Sequence, residues 1–190
     1  MADSSILTAL RDATGDAHRA LEIEADVEAR LRDPACRPDM VARLLTLHEG
    51  AEAAFARWGG DFARLGVPVA DRAVLLRRDA VTLGATPRPG VVGGPASLAE
   101  ALGWAYVIEG STLGGRVMLK RMIADGIDLT GLMHLDPHGD QTGPRWRAMI
   151  AALETFAVSD VLTVQIVRGA GDAFAFAHRI LAPRPDVEAA

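Results

Sequence analysis

Apolar positions Ile6, Leu7, Leu10, Ala13, Ala17 and Leu21 recur at three- and four-residue steps, the period of a helix with one apolar face. A first helix is therefore predicted from a cap at Ser4 or Ser5 to about Asp33. Asp33-Pro34 and Arg37-Pro38 bracket a loop. Val41, Leu44, Leu45, Leu47, Ala51, Ala54, Phe55 and Trp58 then predict a second helix that Gly59-Gly60 should stop. A third runs from about Asp71 to Leu83. Four glycines and three prolines between Gly84 and Ala96 leave only a loop. Ser97, with Glu100 three residues on, has the form of a capping box and opens a long helix, Leu98 to Ala124. Residues 126–143 lack a period, Pro144 suits a first helical turn, and Arg145–Phe156 and Asp160–Leu181 complete the helices. The chain from Ala182 onward is expected to fray. Val161–Val167 alone also reads as a strand, and it suits a buried helix equally. The pattern predicts an all-α bundle of six or seven helices, one domain over residues 1–190 without internal repeat.

The chain has 190 residues, 49% of them apolar and 24% charged, enough for one substantial core. Net charge is −5 and the basic residues are scattered, so no nucleic-acid partner is expected. The start, Met-Ala-Asp-Ser-Ser, lacks the basic and apolar stretches of a signal peptide, and no apolar run is long enough for a membrane span. A cytoplasmic protein without a membrane partner is the expectation. Cys36 is the only cysteine, which rules out an intrachain disulfide and any Cys-rich zinc or iron–sulfur site.

Candidate chemistry begins with the five histidines. His48 lies among helix-two residues and reads as packed or surface. His178 sits near the end of the last helix, where a protonated imidazole suits the helix dipole. His134 and His138 are four apart, but Pro137 and Gly139 make that segment a loop rather than a ligand-bearing helix. No Glu is followed by His three places on, which removes a di-iron bundle. His18 differs in its surroundings. Arg11, Thr14, His18 and Leu21 share a strip beside the apolar stripe of helix one, and Arg11 lies two turns, roughly 10 Å, from His18. An imidazole that ligates a metal and a guanidinium that meets a carboxylate of the same flat ligand would fit that strip. A histidine hydrogen-bonded at a helix seam would fit it too.

The second candidate is Gly110-Ser111-Thr112-Leu113-Gly114-Gly115 inside the long fourth helix. Each interior glycine costs about 1 kcal/mol against Ala, roughly 3 kcal/mol for the three. Gly110 and Gly114 share a face, so either a close helix crossing or a flat ligand against bare backbone would account for them. Ser111 and Thr112 can bond back to helix carbonyls and favour a kink.

Two stretches together resemble a known family. Leu10-Arg11-Asp12-Ala13-Thr14, then His18, Leu21 and Glu22, is similar to the proximal-helix signature of bacterial heme oxygenases. Tyr106-Val107-Ile108-Glu109-Gly110-Ser111-Thr112-Leu113-Gly114-Gly115 resembles their distal helix, especially in the branch often paired with bacteriophytochromes. Leu135-Asp136-Pro137 through Gly143-Pro144-Arg145-Trp146 resembles the loop and helix that follow. The resemblance implies a heme slot between a proximal and a kinked distal helix. His18 would be the iron ligand, with Arg11, Thr14, Tyr106, Gly110, Gly114, Gly115 and Arg147 binding heme and Gly110, Ser111 and Gly114 shaping the reacting face. Lys120 is a further candidate near the propionates. The implied reaction cleaves heme to biliverdin, carbon monoxide and ferrous iron with molecular oxygen. Electrons would come from a ferredoxin or reductase, since the chain carries no flavin or nicotinamide motif, and a bacteriophytochrome is a candidate acceptor of biliverdin. A heme carrier or sensor on the same scaffold is the alternative. Thiamine-type hydrolysis, known on a similar scaffold, would need Cys36 as its nucleophile. The chain departs from relatives at three kinds of position: Ser111 stands where mammalian members carry aspartate, Gly15 and Gly143 where others carry basic residues, and His138 where an aromatic residue is expected.

Overall fold

A computed structural model describes residues 6–69, 71–86, 88–91 and 93–182. These residues form eight α-helices and no strand: α1 (Ile6–Ala25), α2 (Val27–Arg32), α3 (Arg37–Phe55), α4 (Gly59–Leu65), α5 (Ala73–Leu83), α6 (Leu98–Ala124), α7 (Thr142–Phe156) and α8 (Asp160–Leu181). The proposed caps Ser4 and Ser5, and the expected tail beyond Ala182, lie outside the described residues.

Three boundaries differ from the sequence expectation. The first helix is two, because Asp26 takes a left-handed conformation, φ 39°, between α1 and α2. Asp is among the few side chains that tolerate this conformation. Gly59-Gly60 does not end the second helical segment: after a 3₁₀ turn at Ala56–Trp58 the two glycines open α4. The stop comes at Gly66, whose φ of 67° suits a residue without Cβ. The Val161–Val167 stretch lies wholly within α8. The capping at Ser97 is as expected on one side, its hydroxyl accepting from Glu100 N–H at 3.3 Å. The Glu100 carboxylate, however, reaches the N–H of Ala96 at 2.7 Å, and pairs with Arg168 of α8.

Helix α8 is the centre of the packing: it lies against α6, α1 and α3, while α7 touches both α6 and α1. The α6–α8 crossing is close because two glycines meet there. A Cβ on Gly103 would stand 2.0 Å from the Ile166 carbonyl oxygen, and one on Gly169 2.2 Å from that of Glu100. Leu10, Leu102, Met149, Leu153, Ile166 and Phe176 fill the core around this contact with no exposed surface. The end of α8 is held by arginines from α2 and α3. Arg43 donates to the carbonyls of Ile180 and Ala182, and Arg30 to that of Leu181. Both pair with Asp39 at 2.8 Å, and Arg88 joins them. These guanidiniums satisfy carbonyls that a helix end leaves without intrahelical partners. Among the described residues no helix is long and apolar enough to cross a membrane.

Candidate functional site

On α1, Leu10 faces the core while His18 stays exposed, its side chain 56% accessible. The ring is not loose. Its edge meets Phe174 of α8 in a T-shaped contact, centroids 5.7 Å apart, and its Nδ1 lies 3.3 Å from the Glu22 carboxylate one turn on. A carboxylate at Nδ1 favours the tautomer that holds the proton there, which leaves the Nε2 lone pair for a metal. Thr14, one turn earlier, is buried and donates its hydroxyl to the Leu10 carbonyl at 2.7 Å. It shapes the helix surface beneath the strip.

Helix α6 presents Tyr106, Gly110 and Gly114 at four-residue steps, and therefore on one strip. Burial holds the Tyr106 phenol above its ordinary pKa, against the smaller opposing effect of the Arg11 guanidinium beside it. This contact joins the Arg11–His18 strip of α1 to the Tyr106–Gly114 strip of α6. Both helices rest on α8, whose Phe174 meets the His18 ring, and α7 touches both. One helix thus carries an exposed imidazole and the other a stretch of backbone that is bare at Gly114.

The glycines of the run face different neighbours. A Cβ at Gly110 would meet the Trp146 ring of α7 at 3.4 Å, whereas around Gly114 nothing lies within 4 Å. Gly115 turns elsewhere: a Cβ there would come 2.7 Å from the Leu135 carbonyl and 3.2 Å from Arg72 Nη2. Its missing side chain is accounted for by that packing. Ser111 likewise faces Arg72, accepting from Nη1 at 2.8 Å and donating to the Ile108 carbonyl at 2.7 Å. Thr112 bonds back to the Glu109 carbonyl at 2.6 Å. Such back-bonding accompanies helix bending, although α6 remains one uninterrupted helix through the run. Arg147 is exposed on α7, reaching back towards Gly143, and Lys120 is exposed on α6.

Behind the distal strip lies a buried polar cluster that the sequence reading missed. Arg72, ahead of α5, donates from Nε to the His134 carbonyl at 2.9 Å, and burial brings its pKa down to about 10 despite nearby Glu109. Glu109 also takes Arg145 of α7 at 3.4 Å. His134 is fully buried, its Nδ1 2.8 Å from Asp79, whose carboxylate accepts the backbone N–H of His134 and Met133 as well. Burial holds the imidazoles of His48 and His134 below their ordinary pKa, that of His48 well below, and burial lowers His138 too. His48 is thus a core residue; His134 lies in the 3₁₀ turn Met133–Leu135 and His138 just ahead of the one at Gly139–Gln141, so neither is on a ligand-bearing helix. Among the described residues no group of His, Cys, Asp and Glu is arranged to hold a metal ion. His178 bonds Glu24 of α1 at 2.7 Å, a partner more specific than the helix dipole. Cys36 donates to Asp33 at 3.2 Å, and that carboxylate pushes the thiol pKa up, the wrong direction for a nucleophile. The only sequence signal for the cluster was the presence of charged residues in apolar surroundings, which does not say what they pair with.

Comparison with known proteins agrees with this geometry. The heme oxygenase family model matches residues 91–183. A heme oxygenase of Xanthomonas campestris pv. campestris is 33% identical over 150 residues, 76% of this chain and 90% of that protein. Heme oxygenase PigA of Pseudomonas aeruginosa is 38% identical over 80 residues, a stretch covering 41% of this chain and 40% of PigA. The fold is that of the heme oxygenase from Leptospira interrogans (TM-score 0.73, 17% identity, 93% of this chain and 98% of that one). It is also that of the Neisseria meningitidis enzyme solved with NO and CO bound (TM-score 0.68, 22% identity, 93% and 90%). With 33% identity over 76% of this chain and 90% of a relative, the chain belongs to the heme oxygenase family.

Proposed function

We propose that this protein cleaves heme to biliverdin, carbon monoxide and ferrous iron, using molecular oxygen and electrons from a ferredoxin or reductase, in the cytoplasm. The observation that supports the reading is the nearness of Arg11 to Tyr106, which brings the helix with the exposed imidazole beside the helix whose backbone is bare at Gly114. The residues present fit heme. Heme supplies the iron that activates oxygen and is itself the molecule oxidised.

The chain's own groups orient and protect. His18, its Nδ1 against Glu22, would offer Nε2 to the heme iron. Arg11 and Arg147 would offer guanidiniums for propionates, and Tyr106 a hydroxyl. Gly114, with no side chain, would let the α6 backbone come close to the bound heme. Ser111 holds its hydroxyl between Arg72 and the Ile108 carbonyl, fixing the shape of the distal wall rather than reaching into the slot. The branch of the family that the motifs resemble suggests a bacteriophytochrome as acceptor of the product.

A hemin titration followed optically, then ascorbate with catalase under air, tests the reading. A one-to-one heme spectrum that gives way to a biliverdin spectrum is expected. Heme that stays intact under oxygen and reductant would make the protein a carrier or sensor. In His18→Ala the axial ligation should be lost and return with added imidazole; unaltered ligation and turnover in that variant would remove the proximal assignment.

A further inference from the structure

The two glycines of the distal strip are not equivalent. Above Gly110 stands the six-membered ring of Trp146, its Cη2 and Cζ3 at 3.4 and 3.5 Å from where a Cβ would be. One turn further along, Gly114 meets nothing within 4 Å. The indole is also braced from the other side: Trp146 and Tyr106 rings lie 5.3 Å apart at 40°, and the Arg11 guanidinium lies near the Tyr106 hydroxyl. Trp146 belongs to α7, the helix that touches both α1 and α6 and so closes one side of the slot. The first half of the strip is therefore already covered by a rigid aromatic pair, and bare backbone begins only past it.

A flat ligand cannot slide over Gly110 without displacing the indole. It can lie against Gly114, with its edge stopped by Trp146. The two residues best placed to hold carboxylates flank this stop: Arg11 through Tyr106, and Arg147 as the next residue of α7. How far the propionates reach towards these guanidiniums is then set by the width of the indole. The position of the macrocycle in its own plane decides which meso bridge lies under the open backbone at Gly114.

We propose that Trp146 is a specificity-determining residue, the steric stop that fixes the in-plane seating of heme and thereby the bridge that is cut. The inference rests on the heme reading above. The test uses hemin with the wild-type protein, Trp146→Ala and Trp146→Phe, each checked for helix content by circular dichroism. Seating is read from the heme-methyl proton shifts of the ferric cyanide complex, which need no turnover, and the outcome from the biliverdin isomers separated after ascorbate-driven reaction. In Trp146→Ala the methyl pattern should change or double, and the ratio of isomers should move on the order of tenfold, the discrimination that one pocket contact supplies. Trp146→Phe, which keeps a smaller ring over Gly110, should move both readouts in the same direction by less, and it stands as the deciding variant if the alanine form does not fold. Wild-type methyl shifts and isomer ratio in a folded variant that binds hemin would overturn the role of Trp146 and leave the heme assignment intact. Failure of the wild-type protein to bind hemin would remove both.

Discussion

A Cβ placed on Gly110 would make ordinary contact with the Trp146 ring, and one on Gly114 would project into open space. The physical consequences are opposite. Gly110→Ala should leave hemin affinity within a few-fold of wild type, and even gain a little helix stability, about 1 kcal/mol at most. Gly114→Leu should leave the fold intact but keep heme from the backbone, which a loss of hemin affinity or an altered isomer ratio would show. Equal behaviour of the two variants in an optical titration would contradict the difference seen here. The buried imidazoles allow a second prediction. His48 and His134 are held neutral by burial, so their folded pKa lies below the ordinary value of about 6.5 that applies once the chain unfolds. The unfolded chain then takes up protons as pH falls past about 6.5 while the folded chain does not. Stability is full above that pH and declines below it, by up to about 1.4 kcal/mol per pH unit for each histidine. Urea midpoints at pH 7.5 and 5.5 should show this loss, and His48→Phe should lessen it; a flat profile would mean that the two rings are charged in the fold.

At the scale of elements, α1 and α8 were legible because each buries one stripe, and stripes leave a period in the sequence; α3 and α6 bury consecutive residues, Met40–Leu44 and Ala99–Ala105, and were legible from their apolar content and, for α6, from the cap at Ser97. What was not legible was where the stripes cross. The glycines that attracted notice, Gly110 to Gly115, mostly do not make the close helix contact; Gly103 and Gly169 do, and neither stands in a run that would mark it. A methyl group at Gly103 would overlap backbone rather than a mobile side chain. Gly103→Ala should therefore cost about 1–3 kcal/mol or more, as overpacking does. At roughly 2–4 °C per kcal/mol for a chain of this size, thermal unfolding should fall by about 2–12 °C. A thermal melt at the wild-type temperature would show that α6 and α8 can separate without penalty. The break at Asp26 and the helix that opens at Gly59-Gly60 escaped the sequence for a related reason: the residues there permit more than one backbone course, and tertiary packing selects among them.

At the scale of the whole molecule, the site was half legible. The Arg11–His18 strip of α1 and the glycine strip of α6 carried recognisable residues, about ninety positions apart. The supports did not: Phe174 beneath His18, Trp146 over Gly110, and the Arg72–Asp79–His134 cluster are pairings between distant segments, and no local pattern encodes them. A slot formed between two helices that share a third should gain from being filled. Hemin at one hundred times its dissociation constant would stabilise the fold by about 2.7 kcal/mol if only the folded chain binds it, a rise of roughly 5–11 °C in melting temperature. A melt unmoved by saturating hemin would argue that heme sits on the surface rather than between α1 and α6.

The order of the helices along the chain has a consequence for biosynthesis. The His18 wall and the Gly114 wall are both translated before α8, yet each rests on it, and the arginines that secure the end of α8 lie back in α2 and α3. A nascent chain therefore carries both helices for as long as the ribosome takes to add the segment from α7 through α8, without the helix on which each mainly rests. On the heme reading proposed above, capture is deferred until that last helix docks, so a translation product stalled before α8 should be heme-free as well as unfolded.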